Sequence, residues 1–328
     1  MKILGMGNAL VDVLTKLNSD SLLDELNLPK GSMQLIDADR RKDIVRKTKD
    51  LPQVMTAGGC ASNTLAALAK LGSHTGFIGK VGNDEYGDLY KSDIQSLGIN
   101  NHLIYKEDTS GAALVLISPD GERTFGTYLG ASADLSVADL SPEIFQGYDC
   151  FYVEGYLVQN YELIETAMQM ARNQGLKVAI DTASYNVVEA NRDFFVRLID
   201  QYVDIIFANE EEAKALTGLP TEEALCTLAG KVEIAVVKTG RKGALAMQGE
   251  QQVAVPARTV SVLDATAAGD YYAAGFMYGL SQGKSLATCA HLGTLLASNI
   301  IEVVGTRLSD VTWTQIAQEA EKILSSQH

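Results

Sequence analysis

Strand-like and helix-like stretches alternate along most of this chain, and that alternation restricts its fold more than any other feature. Ile3–Met6 reads as a short strand, residues 61–71 as a helix stopped by Gly72, residues 75–78 as a strand, and residues 86–97 as a helix ending at Gly98. The pattern continues through residues 150–153, 163–173, 178–180, 205–208 and 210–216; Ile234–Lys238 and residues 244–247 read as strands and 286–301 as a long apolar helix. Such an order predicts an α/β fold, a mainly parallel sheet covered by helices on both faces. Ligands then bind beyond the carboxyl ends of the strands. Residues 12–37 and 99–130 break the alternation, with a period-two stretch from Ala113 to Ile117 and a hairpin signal at Pro119-Asp120-Gly121. They predict a small β-sheet lid outside a core formed by residues 1–11, 38–98 and 131–328. A lid over the site would keep water from the reaction.

A chain of 328 residues exceeds one small core, and its 27 basic against 41 acidic residues give a net charge of −14. That balance argues against a nucleic-acid or anionic-membrane surface and fits a protein that handles small molecules. Cys60, Cys150, Cys226 and Cys289 are scattered without a CxxC pair, as expected for reduced, buried thiols in a cytosolic protein. His74, His102, His291 and His328 show no zinc-ligand spacing. No window approaches the roughly 18 apolar residues of a membrane span. Asp12 interrupts the short apolar run after Lys2, which reads as a first strand rather than a signal peptide. The expected location is cytoplasmic.

The chemistry is concentrated in a few turns. Asp264-Ala-Thr-Ala-Ala-Gly-Asp270 follows the extended residues Val253, Val255, Val260 and Val262 and precedes a helix expected over 271–280. Small residues at a helix start let an anion approach free N–H groups, where the helix dipole favours negative charge. A carboxylate one step into that helix would face the same anion and can act as a base, which suggests phosphoryl transfer. The bland alternative is a close-packed turn with a solvated capping Asp. Gly58-Gly59-Cys-Ala-Ser-Asn63 is a glycine pair at a second helix start, and Asn63 offers a donor and an acceptor to a hydroxylated ligand. Asp12, expected at a strand's carboxyl end, either grips two vicinal hydroxyls or is a turn residue. Asn209 and Glu212 either serve the helix dipole or hold the water shell of Mg2+. Gly240-Arg-Lys-Gly243 is a hairpin or a lip on which a nucleotide lies.

In this order the motifs resemble the ribokinase family, also called the PfkB carbohydrate kinases. The GGxxxN signature is met by Gly58, Gly59 and Asn63, the NxxE motif by Asn209 and Glu212, and the late DTxGAGD signature by Asp264 to Asp270. Ala265 stands in place of the usual Thr, and Ala267 in place of the usual first Gly. The resemblance implies a ribokinase-like three-layer α/β/α fold and an enzyme that transfers the γ-phosphate of ATP to an alcohol group. Asp270 would be the general base, with the N–H groups of Ala267, Ala268 and Gly269 as the anion hole. Asp12, Gly58, Gly59 and Asn63 would hold the acceptor, with Lys80 and Glu154 as wall residues. Asn209, Thr239, Gly240, Gly243, Gly269 and Asn299 would serve ATP. Asn209 and Glu212 would order Mg2+ through water, and Asp264 and Thr266 would contribute to a K+ site. Arg123, on the lid, would reach the phosphates on closure, a plain surface arginine being the alternative.

The segments 120–131 and 152–157 look most like the adenosine-kinase-like subgroup, which points to a ribose-bearing acceptor phosphorylated at its primary hydroxyl. A nucleoside base needs an apolar or aromatic clamp, which Phe125 or Tyr128 would supply; the other reading makes them the apolar inner face of the lid. A simple pentose or hexose is the alternative acceptor, and a non-catalytic sugar- or nucleotide-binding regulator the remote one. The expected partners are small molecules, without nucleic acid or membrane, in a monomer or a lid-paired homodimer.

Overall fold

The computed structural model describes residues 1–326, so His328 lies outside the described residues. Its strands are β1 Ile3–Met6, β2 Leu10–Lys16, β3 Met33–Leu35, β4 Gln53–Gly58, β5 Thr75–Gly82, β6 Asn100–Lys106 and β7 Gly111–Ile117. They continue as β8 Arg123–Tyr128, β9 Cys150–Glu154, β10 Lys177–Asp181, β11 Ile205–Asn209, β12 Ile234–Lys238, β13 Ala244–Gln248 and β14 Gln251–Val255. Nine of them form one sheet in the order β14-β13-β12-β11-β10-β9-β1-β5-β6. It is parallel from β6 to β12, and the β12–β13–β14 meander closes one edge antiparallel.

Alternate residues of the central strands feed two different cores, the period-two rule applied to a sheet buried on both faces. Ile3, Tyr152, Ala179 and Phe207 pack with the helices Cys60–Lys70, Ala268–Ser281, Leu286–Ile300 and Asp310–Ser325. Leu4, Phe151, Val178 and Ile206 pack with Tyr161–Asn173, Arg192–Gln201, Glu210–Thr217 and Thr221–Ala229. The three-layer α/β/α architecture with a second, smaller sheet is therefore as the alternation implied.

The small sheet runs β3-β8-β7-β2-β4. Two expected boundaries are corrected by its pairing. Residues 99–130 were expected to lie wholly in the lid, but β6 pairs in parallel with β5 in the large sheet. Residues 38–98 were expected in the core, yet β4 pairs antiparallel with β2 in the small sheet, Asp12 opposite Thr56. Val260 and Val262, expected to be extended chain, lie in an irregular segment outside any strand. One face of the small sheet is covered by the helix Ala38–Thr48, whose Ile44 packs beside Gly126. Leu14, Ala113, Val115, Ile117 and Phe125 make an apolar cluster on the other face.

Among the described residues no helix is long and apolar enough to cross a membrane. None of the four cysteines is in a disulfide; Cys150 and Cys289 are buried as expected, but Cys226 is exposed and Cys60 only half-buried.

Candidate active site

Strands β9 to β12 end, in turn, on Glu154, Asp181, Asn209 and Lys238. Parallel strands place their last residues along one rim of the sheet. Three of these four line a cavity of about 440 Å³, together with Asp12, Gly59, Asn63, Glu212, Gly240, Thr306 and the whole run from Ala265 to Asp270. Most of the residues singled out by motif thus meet in one cleft between the large sheet's rim and the small sheet.

The turn that ends in Asp270 starts the helix Ala268–Ser281 without a side-chain cap, so its first turn is open to an anion. Ala267 sits at φ +61°, the left-handed region where a Cβ costs about 1 kcal/mol. That strain marks the position at which the family signature carries glycine. The expected anion hole needs one correction: the Ala268 N–H donates to the Ala265 carbonyl at 3.2 Å, so this donor is already engaged. Gly269 is glycine for a different reason. A Cβ there would lie 3.1 Å from the Lys238 Nζ, so the missing side chain lets the ammonium lie against the helix start.

Asp270 is 8% exposed and accepts a 3.0 Å hydrogen bond from Asn63 Nδ2. Burial pushes its carboxyl up to about 7, Asp181 adds to the rise, and the Asn63 bond and Lys238 oppose it. A carboxyl tuned near neutrality, beside an uncapped helix start, can accept a proton from an attacking hydroxyl. Lys238 is half-buried and bonded to Asp181 at 2.7 Å, and Asp181 and Glu212 hold its ammonium charged.

Asp12 is not at a strand's carboxyl end as expected; it is the third residue of β2, facing the cavity from within the small sheet. Burial raises its carboxyl to about 6, while Arg307, Thr306 and Arg123 pull it down. Thr306 Oγ1 donates to it at 3.1 Å. The glycine pair makes room for this arrangement. A Cβ on Gly58 would lie 2.3 Å from the Asp12 carboxylate, and Gly59, at φ +92°, would meet the Asn8 carbonyl at 2.2 Å.

Asn209 and Glu212 form a capping box: the Asn209 side chain accepts from the Glu212 N–H, and Glu212 accepts from the Asn209 N–H at 2.8 Å. Thr182 Oγ1 also donates to Glu212 at 2.8 Å. The helix-cap reading is therefore realised, and both residues still line the cavity. Among the described residues there is no cluster of three or more His, Cys, Asp or Glu side chains fit to hold a bare metal ion. The donor set fits Mg2+ that keeps its waters and takes oxygens from a phosphate; Glu212, Asn209 and Asp181 are the side chains that would order those waters.

Other expected site residues lie elsewhere. Lys80 is tied to Asp139 at 2.8 Å and to the Asp134 carbonyl at 3.0 Å, and is no part of the cavity wall. Glu154 is buried and outside the cavity lining, accepting from the Asn8 N–H, the Asn8 side chain and the Ala61 N–H, which ties together the two glycine-containing loops. Thr239 lines a second, smaller cavity of about 340 Å³ with Lys242 and Pro256. Gly243 and Asn299 line neither cavity; Asn299 bonds its own helix at the Leu295 carbonyl. Gly243 has φ +109° and turns the β12–β13 hairpin. Tyr128 points to the helix-covered face of the small sheet, under the Arg41 guanidinium, opposite to Phe125. Arg123 is buried against Asp264 and Thr266 and is not a surface arginine.

Asp181, Lys238, Thr306 and Arg307 were not anticipated. Asp181 and Lys238 carry a signal, since both close parallel strands. Thr306 and Arg307 sit in an irregular segment, where Arg307 reaches Asn63 Oδ1 at 3.1 Å and the Ala57 carbonyl.

The family model for pfkB family carbohydrate kinases matches residues 28–313, and the chain belongs to that family. It is thereby a phosphotransferase with an alcohol group as acceptor. A probable sugar kinase protein from Rhizobium etli CFN 42 superimposes with a TM-score of 0.86 at 32% identity, covering 98% of each chain. The adenosine kinase from Sinorhizobium meliloti does so with 0.85 at 33% identity, again over 98% of each. A ribokinase from Arabidopsis thaliana is 32% identical over 271 residues, 76% of this chain and 68% of that protein.

Proposed function

We propose that this kinase transfers the γ-phosphate of ATP to the primary hydroxyl of a ribose-bearing nucleoside, with Asp270 as the general base. The observation that carries the reaction is the buried Asp270 carboxyl, held by Asn63 in the first turn of a helix that starts without a side-chain cap. Asp270 takes the hydroxyl proton as that oxygen attacks phosphorus, and ADP leaves. The N–H groups of Ala267 and Gly269 and the Lys238 ammonium receive the charge on the transferring group. Mg2+ bound with ATP would neutralise the phosphate oxygens, with Glu212, Asn209 and Asp181 ordering its waters. Asp12 and Asn63 hold the acceptor's hydroxyls, and the small sheet closes over them as a lid.

The nucleoside reading is supported by the face on which Asp12 stands. Register partners share a face, so Asp12 lies with Leu14, Ala113, Val115, Phe125 and Val54. Val54 is 63% exposed and Met33, beside Phe125, 58%. A sugar held by Asp12 would leave a base against this apolar surface, which a bare sugar has no use for. A simple pentose or hexose is the second reading, favoured by a cavity wall that contains no aromatic side chain. The test is ADP release with adenosine, other nucleosides, ribose and fructose under MgATP. The proposal expects kcat/KM for a nucleoside to exceed that for ribose by at least about a hundredfold, some 2.7 kcal/mol of base burial. Equal or higher values for a free sugar would refute it.

A further inference from the structure

Asp264 and Thr266, the two side chains that the family resemblance assigns to a K+ site, already share a cation. Asp264 opens the turn that ends in Asp270, and it and Arg123 are each 8% exposed. One Asp264 oxygen accepts from the Thr266 N–H at 3.0 Å. The other accepts from the Gly305 N–H at 3.0 Å and pairs with Arg123 Nη1. The same Nη1 donates to Thr266 Oγ1 at 3.2 Å. A K+ ion seated on Asp264 and Thr266 would stand where the guanidinium stands, and one buried carboxylate does not bring two cations together without a large repulsion. Ala265 has also lost the hydroxyl that the usual Thr carries. The K+ site does not fit this chain.

We propose that Arg123 is the built-in cation of the catalytic turn, supplied from the first residue of β8 in place of a bound monovalent ion. A single nitrogen, Nη1, meets the carboxylate and the Thr hydroxyl together, so it is the positive charge at this point that the turn requires. The charge that orders Asp264, and with it the segment up to Asp270, therefore belongs to the small sheet. Lid position and turn order become one event, because moving β8 away strips Asp264 of its counter-charge inside the protein. Arg123 Nη2 is buried without a partner, so the guanidinium keeps one donor for a ligand that arrives when the cleft is closed.

The test compares melting temperatures in about 0.1 M KCl and in tetramethylammonium chloride of equal ionic strength. This readout needs no turnover, so it stands or falls separately from the kinase reading. Wild-type protein is expected to melt within about 0.5 °C in the two salts. Arg123→Met, which keeps the apolar stem and loses the charge, is expected to melt lower in tetramethylammonium and to gain about 2 °C or more from K+. Arg123→Lys, which retains a charge, stays insensitive to the salt. In an ADP-release assay with adenosine, Arg123→Met should lose at least about tenfold in kcat and regain part of it with K+ or guanidinium chloride, whereas wild type responds to neither. Stabilisation or several-fold activation of wild type by K+ would overturn the proposal. So would an Arg123→Met protein equally impaired in both salts.

Discussion

Asp270→Asn separates the two roles that burial gives this carboxyl. Its ordinary value is 3.8 and its value in the fold is about 7, a difference that converts to about 4 kcal/mol at ~1.4 kcal/mol per unit. Between those two values the folded carboxyl keeps a proton that the unfolded chain has released. Folded protein then binds more protons than unfolded, so stability falls as pH rises through this window and is lowest above about 7. Asparagine has no charge to desolvate and still offers Asn63 Nδ2 an acceptor. The variant is therefore expected to melt at or above wild type at pH 8 and to show a flatter dependence between pH 4 and 7. Catalysis moves the opposite way. Loss of the base should lower kcat by at least about a thousandfold, roughly 4 kcal/mol of barrier, with MgATP affinity little changed. In wild type, kcat/KM should rise with pH through about 7, because only the ionised carboxylate accepts a proton. The assays are coupled ADP release, calorimetric titration of MgATP, and thermal melts across pH. Near-normal turnover in Asp270→Asn, or an unchanged pH slope of stability, would refute the reasoning.

Three further substitutions probe the walls of the cleft. Asp12→Ala should weaken the acceptor by at least about tenfold and spare MgATP, read by paired titrations; the reverse pattern would show that the two ends of the site are exchanged. Glu212→Gln should raise the Mg2+ concentration needed for half-maximal rate and lower the melting temperature, since an amide cannot serve all of Glu212's donors; an unchanged metal titration removes it from the metal role. Lys238→Met deprives Asp181 and Asp270 of their counter-charge. It should raise KM for ATP and move the midpoint of the pH–rate profile upward, and a profile left in place would argue against charge coupling between Lys238 and the base.

The layers of the fold were legible because each buried strand and helix announces itself locally. Ile3–Met6 and Ile234–Lys238 fall where the apolar runs put them, and the glycine stops end their helices. The division between the two sheets was not legible. Asn100–Lys106 and Gly111–Ile117 are separated by four residues yet join different sheets, and Gln53–Gly58 enters the small sheet by pairing with a strand some 40 residues earlier. Such pairing is chosen by tertiary packing and leaves no mark in a short window.

The same distinction holds in the site. The Asp264–Asp270 turn and the Gly58–Gly59 pair were readable because special backbone needs special residues. Asp181 and Lys238 were missed although the strand-end rule, applied to every parallel strand, reaches both of them. Lys80 misled for a physical reason: its neighbour Asp139, distant in sequence, takes its charge. Arg307 has no local signature, since its importance comes from tertiary contacts, to Asn63 and to the Ala57 carbonyl, and from its charge near Asp12.

The central claim, in-line transfer to a primary hydroxyl held beside Asp270, is tested most directly by locating the phosphate on the product. Adenosine incubated with MgATP and the enzyme should give a single monoester at the primary hydroxyl by phosphorus NMR. The 5′-deoxy analogue should bind and accept nothing. A phosphate on a secondary hydroxyl, or inorganic phosphate as the sole product, would contradict the account.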